Sequence, residues 1–486
     1  MNIKALFPSL IIFCIYIHGY TQTLGDIPDD RLSATNWQDF RWDDSGDWKI
    51  IDVTKNGIMP NTKEDIAPNV MKIISEGSGK RILQFPAGTY QIASRLDIEK
   101  GDIQIVGKGK TTKFMLAGGE KPANITIRGR RVGDYRLSLD VHRGDSKLIL
   151  TSTEGLEVND FIVIKQKGAI TRPSPGVSGD ETQIVKIISK TGNTLTVDMN
   201  FGIPFLKAHA SIAKMDMIKN LRFHNFYIEM TSKPLKGKSH NISASEIQNV
   251  EFSNIVSNKA LHSHIELSWS RDVILSNNYV HGNFGHDKEG WYQYGIKLSQ
   301  STQCYVINNR ASDLRHHYAT QMGTNHCVIA YNRAEPPYNH YGDFGQHNSK
   351  GCHNNLWEGN YGSEIYDDDN PKKSWGTRYT MWFRNHAQHK IGSESPYVEN
   401  MTIIGNELEG GFDSIKSGSP TNNNFSGANL INVGKKEYAS TLKWGDMKLG
   451  DSIPASLFLI KKPDYLNKWP LFGPSNGVTY SQFQPR

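Results

Sequence analysis

Between Leu221 and Asn406 the chain repeats one short phrase, an apolar-led run that ends in asparagine. It reads LRFHN (Asn225), VEFSN (Asn254), VILSN (Asn277), YVINN (Asn309), VIAYN (Asn332), LWEGN (Asn360), MWFRN (Asn385) and TIIGN (Asn406), with gaps of 29, 23, 32, 23, 28, 25 and 21 residues. Short β-rich units at this spacing cannot each bury an apolar face alone, so they must stack, which defines a parallel β-solenoid. Asparagine tolerates the left-handed backbone of a tight bend and hydrogen-bonds neighbouring backbone, so one Asn per turn is expected to form a ladder along the axis. Cys304 and Cys327 each stand five positions before such an Asn and are expected to stack as small buried thiols.

Upstream, Asp52 to Phe114 contains DVTKNG, EDIAPNVMKIIS, ILQFPAGTYQI and IQIVGKGKTTKF. These elements closely resemble the opening of pectate-lyase-like right-handed parallel β-helix proteins. The resemblance implies an all-β fold whose open end is capped by the helix in EDIAPNVMKIIS. It does not imply one activity, because that scaffold carries lyases, hydrolases, epimerases and phage adhesins. Residues 133–214 interrupt the coil pattern with alternating strands separated by EGLEVND and TGN, and predict a hairpin-bearing β-rich insertion. The tail, residues 425–486, resembles the closing segment of exported β-helix enzymes and is expected to cover the last coil.

The first 22 residues carry an early lysine, an apolar run from Leu10 to Ile17 and then small and polar residues, which reads as an export signal. That run is too short for a bilayer, which needs ~20 apolar residues. The expected mature chain is one domain, 23–486, secreted or periplasmic, free of the membrane and monomeric. Its remaining Cys304, Cys327 and Cys352 are too few for a disulfide framework and too widely spaced for a zinc site. A net charge of +6 without basic runs suits an anionic polysaccharide, and no nucleic-acid-binding motif is present.

Polar and aromatic residues concentrate between Ser263 and Arg384, in HIELSWS, YGIKLSQS, HYATQMGT and HYGDFGQHNSKG. On a solenoid, equivalent strands lie about 4.8 Å apart, so outward side chains of successive coils become neighbours. This reading gathers Lys297, Arg315, His316, His317 and Tyr318 as catalytic candidates, with His264, Glu266, Tyr292, Tyr294, His340, Tyr341, Gln346 and His347 as substrate contacts. Cleaving a uronic acid polymer by β-elimination requires neutralising the carboxylate, removing the C5 proton and protonating O4. Arg315 and Lys297 suit the first task, and His317 or Tyr318 the others. A free 4-hydroxyl would turn the same machinery from lyase to dehydratase.

Two rivals stand beside this reading. EIYDDDN offers Glu364, Asp367, Asp368 and Asp369 as a carboxylate set for glycoside hydrolysis or for calcium, though three Asp before NPKK also form an ordinary solvated turn. The separated Asp, Gly-His and Arg-x-Lys motifs of pectin hydrolases are not reproduced. The other rival is a non-catalytic glycan-binding β-helix, in which Trp291 and Tyr292 matter more than His317. No cofactor is required by the eliminative chemistry, with calcium at the carboxylate cluster as the alternative.

Overall fold

The computed structural model is a right-handed parallel β-helix. It describes residues 37, 40–167, 180–235, 239–284, 293–335, 344–346, 351–367, 377–393, 400–409, 425–427, 429–431, 437–439, 454–468, 471–475 and 478–480. The expected signal, Trp291, Tyr292, His340, Tyr341, His347, Asp368 and Asp369 lie outside them. Three parallel sheets run the length of the stack. The first includes Arg81–Gln84, Arg271–Ser276, Thr302–Ile307, Val328–Ala330, Leu356–Glu358, Met381–Phe383 and Thr402–Ile404. Gly88–Ile92, Tyr279–Asn283, Arg310–Ser312 and Arg333–Ala334 belong to the second, and the long strands Ile103–Leu116, Ile218–Met230 and Ile247–Ala260 bend to serve both. The third comprises Leu96–Ile98, Ile125–Arg128, His240–Ser245, Ser263–Ser268, Tyr294–Ser299, His316–Gln321 and Phe344–Gln346.

In-register pairing makes each inward position a column. Leu83, Ile105, Phe223, Phe252, Leu275, Val306, Ile329, Trp357, Trp382 and Ile403 form one column of the first sheet. Aromatic members stack within it, with Phe223 and Phe252 rings 5.0 Å apart and Trp357 and Trp382 rings 5.1 Å apart. The end cap is the helix Ala67–Glu76, with Pro68 in its first turn and Val70 and Ile74 buried. Arg81 closes that helix by donating to the carbonyls of Ile73 (2.6 Å) and Ile74 (3.2 Å).

The asparagine ladder exists, but bend and hydrogen bond fall on neighbouring residues. Asn225, Asn254 and Asn277 are left-handed, whereas in later coils the left-handed position is Asn308, Tyr331, Gly359, Arg384 or Gly405. The residue after it carries the ladder, from Asn278 through Asn309, Asn332, Asn360 and Asn385 to Asn406. Each Asn Oδ1 from 309 onward accepts the backbone N–H and the Nδ2–H of the preceding rung at 2.8–3.1 Å. Buried backbone at the bend is thereby satisfied without water. Cys304 and Cys327 do stack, Cys304 N–H lying 3.4 Å from Cys327 Sγ.

The insertion is a six-stranded antiparallel sheet spanning 130–216, in the order Arg130–Tyr135, Ser211–Asp216, Phe161–Lys167, Asp180–Thr191, Thr194–Val197, Lys147–Ile149. It is tied to the coils by Arg271, which donates to Ile184 O and pairs with Asp198, and by Thr182, whose carbonyl accepts from Asn325 Nδ2 at 2.7 Å. The closing segment departs from expectation. Residues 454–468 and 471–472 lie along the outer face of the first sheet, where Leu457, Phe458, Leu459, Leu466, Leu471 and Phe472 pack on Tyr305, Val328, Leu356, Met381, Phe383 and Ile404. From Tyr305 onward that sheet is apolar on both faces, so its outer face there needs cover.

Candidate active site

The third sheet gathers candidate residues on its outer face. Register places Ser243 opposite Glu266, Glu266 opposite Lys297 and Lys297 opposite Ala319, while Ser263, Tyr294 and His316 form a parallel row. Lys297 Nζ donates to Glu266 Oε1 at 3.2 Å and lies 5.3 Å from the Tyr294 ring centroid. Tyr294 in turn stacks on His316 with centroids 5.0 Å apart and accepts from Gln321 Nε2 at 3.4 Å. His262 flanks the other side of Tyr294 at 5.6 Å, and His240 meets His262 edge to face at 4.6 Å. Both imidazoles turn Nδ1 to Glu266 Oε2, at 3.0 Å from His240 and 3.5 Å from His262. One ammonium, three imidazoles, one phenol and one carboxylate thus meet across four coils, Glu266 being the most open member with 18% of its side chain exposed.

A basic cleft of 900 Å³ adjoins this cluster between the insertion and the same sheet face. Ser243, Ser245 and Ser268 supply its floor, and small hydroxyls there leave room above the strands. Its walls include Arg128, Arg130, Arg131, Arg136 and Lys165 against Asp134 and Glu246. Arg131 lies 4.0 Å over the Trp269 ring and 3.1 Å from Glu246 Oε1, and burial raises the Glu246 pKa. Ser243 belongs to both cleft and cluster, since it lines the first and pairs in register with Glu266.

The expectation that Arg315 to Tyr318 all face outward with Lys297 does not hold. Tyr318 is in the core column Ile265, Ile296, Tyr318, Phe344, stacked at 4.7 Å on Phe344, with its hydroxyl donating to Arg333 O and burial raising its pKa. His317 is fully buried, and the outward neighbour of Lys297 is Ala319. His264 is likewise no surface contact. It is fully buried, its ring nitrogens 2.8 Å from Ser257 Oγ and 3.0 Å from Gly282 O, and burial depresses its pKa to about 3, which keeps it neutral. Arg315 is half-buried in the turn before His316. Gln346 ends the strand Phe344–Gln346, two coils away from Lys297 along the stack, and Asp367 ends Tyr361–Asp367, three coils away.

Of the expected set, Glu266, Tyr294, Lys297 and His316 come together, and His240, His262 and Gln321 join them unforeseen. A signal for the histidines was present. His240, His262, Tyr294 and His316 recur at 22, 32 and 22 residues, nearly the 23, 32 and 23 that separate Asn254, Asn277, Asn309 and Asn332. Aligning these residues on the asparagine repeat would have put all four beside one column, in which the register seats Ser263, one residue on from His262, between His240 and Tyr294.

No protein-family model and no curated protein matches this chain. Solved structures do. The tailspike gp61 of Pseudomonas phage phi297 matches with a TM-score of 0.60 and 13% identity, over 79% of this chain and 70% of its own. The tailspike gp49 from Pseudomonas phage LKA1 matches with a TM-score of 0.51 and 14% identity, over 75% of this chain and 56% of its own, little more than half of that protein. The likeness defines a parallel β-helix protein and concerns the fold.

Proposed function

We propose that the chain is an exported enzyme that acts on a uronic-acid-containing polysaccharide, or its oligosaccharides, by β-elimination on the outer face of the third sheet. The observation that carries this reading is the stacked Tyr294–His316 pair beside Lys297, on the sheet face that also floors a cleft walled by five arginine and lysine side chains. In the reaction the C5 proton passes to the base, the C4–O bond breaks, a C4–C5 double bond forms and the departing O4 takes a proton. Tyr294 and His316 supply the phenol and imidazole for those transfers, and Lys297 the positive charge for the enolate-like carboxylate. Arg128 and Lys165 in the cleft hold further anionic units of the chain. A glycosyl group at O4 makes the outcome lyase cleavage, and a free hydroxyl makes it dehydration.

Mass analysis of the products tests this against hydrolysis. Eliminative products weigh one water less than hydrolytic ones of the same length. Saturated products, abolished by Glu266→Gln, would move the protein to the glycosidases, and unaltered polymer that binds but is not cut would make it a glycan-binding β-helix.

A further inference from the structure

We propose that His240, His262 and Glu266 form a binding site for one divalent transition-metal ion, held through His240 Nδ1, His262 Nδ1 and Glu266 Oε2. All three donor atoms lie within 4.8 Å of one another. Oε2 is 3.0 Å and 3.5 Å from the two nitrogens. Donors about 2.1 Å from a common ion are separated by about 3.0–3.4 Å in tetrahedral or octahedral geometry, so both contacts are already at coordination spacing. Oε2 is buried and accepts no hydrogen bond, so those short contacts do not satisfy it as hydrogen bonds would. The other oxygen, Oε1, accepts from Lys297, which fixes the carboxylate as an outer partner fixes a ligand. Ser263 Oγ, 2.9 Å from His262 Nδ1, is the group an ion would displace.

The donor set selects the ion. Two imidazoles and one carboxylate suit zinc or a neighbouring first-row ion, whereas calcium takes six to eight oxygens. Three protein ligands leave a coordination position open. A uronate carboxylate is the ligand chemistry that position would take, and this last role, unlike the binding itself, rests on the eliminative reading.

The test is calorimetric titration of chelator-stripped full chain with zinc chloride, for wild type, His262→Ala and Glu266→Gln, with unfolding curves to show that each variant folds. One zinc per chain, weakened more than about 100-fold by either substitution, is expected, since even outer-shell changes cost 10–100-fold. Cobalt(II) added to stripped wild type should give a visible d–d band, a readout that needs no variant. Absence of stoichiometric zinc binding, or binding unchanged in both folded variants, overturns the site. Stoichiometric zinc without any eliminative product leaves the site standing and removes the reading, and elimination by stripped protein that binds no zinc does the reverse.

Discussion

At the scale of single residues, the site and the bend ladder make different demands. Tyr294→Phe keeps the ring between His262 and His316 and removes only the hydroxyl, so kcat should fall by about 10²–10⁴ with the fold unchanged. Asn332→Ala acts on stability alone. It strands the Asn309 backbone N–H and Nδ2–H, both held by Asn332 Oδ1, and should cost about 3 kcal/mol in denaturant unfolding with activity per folded molecule unaltered. The repeat made these asparagines legible, because a period survives without knowledge of side-chain direction. Direction was not legible. His316, His317 and Tyr318 are adjacent in sequence, and only the column Ile265, Ile296, Tyr318, Phe344 decides that Tyr318 turns inward while His316 joins Tyr294.

Among the elements, the closing segment is where pH should register. Leu457 N–H donates to Glu358 Oε2 at 2.8 Å, Gly473 N–H donates to Glu407 Oε1 at 3.0 Å, and Arg384 donates to Pro454 O and Phe472 O. Burial pushes the Glu358 carboxyl up to about 7 from 4.5, so its contribution is complete below 4.5 and is lost as pH rises through about 7. His386 behaves alike. Burial opposes its charge, but hydrogen bonds to Glu407 and Glu409 raise its pKa above 6.5, so the stabilisation present below 6.5 disappears as pH rises through the raised value. Thermal unfolding followed from about pH 5 to about pH 8 should therefore show a falling midpoint, with Glu358→Gln flattening the lower part and His386→Gln the upper part. A wild-type midpoint indifferent to pH would contradict this. The segment itself could be recognised in the sequence, but its seat could not, since the apolar outer column Tyr305, Val328, Leu356, Met381 exists only once the coils are in register.

For the whole molecule, coils and insertion combine to set one basic wall against the sheet face proposed as catalytic. Because the cleft side chains face solvent, the KM for an acidic polymer should rise steeply between low and high salt while kcat stays level, as screening sets in over a Debye length of about 10 Å at 0.1 M. The insertion could be read from the break in the repeat, but its arginines gain meaning only from Ser243 and Ser268, which come from coils further along the chain. The most direct measurement is the ultraviolet absorbance of unsaturated uronate while the protein is incubated with a panel of uronate polymers and their saturated oligosaccharides, beside Tyr294→Phe and Lys297→Ala. The account predicts a rise with wild type on at least one substrate and none with either folded variant. New reducing ends without that absorbance, or a rise that both variants preserve, would contradict it.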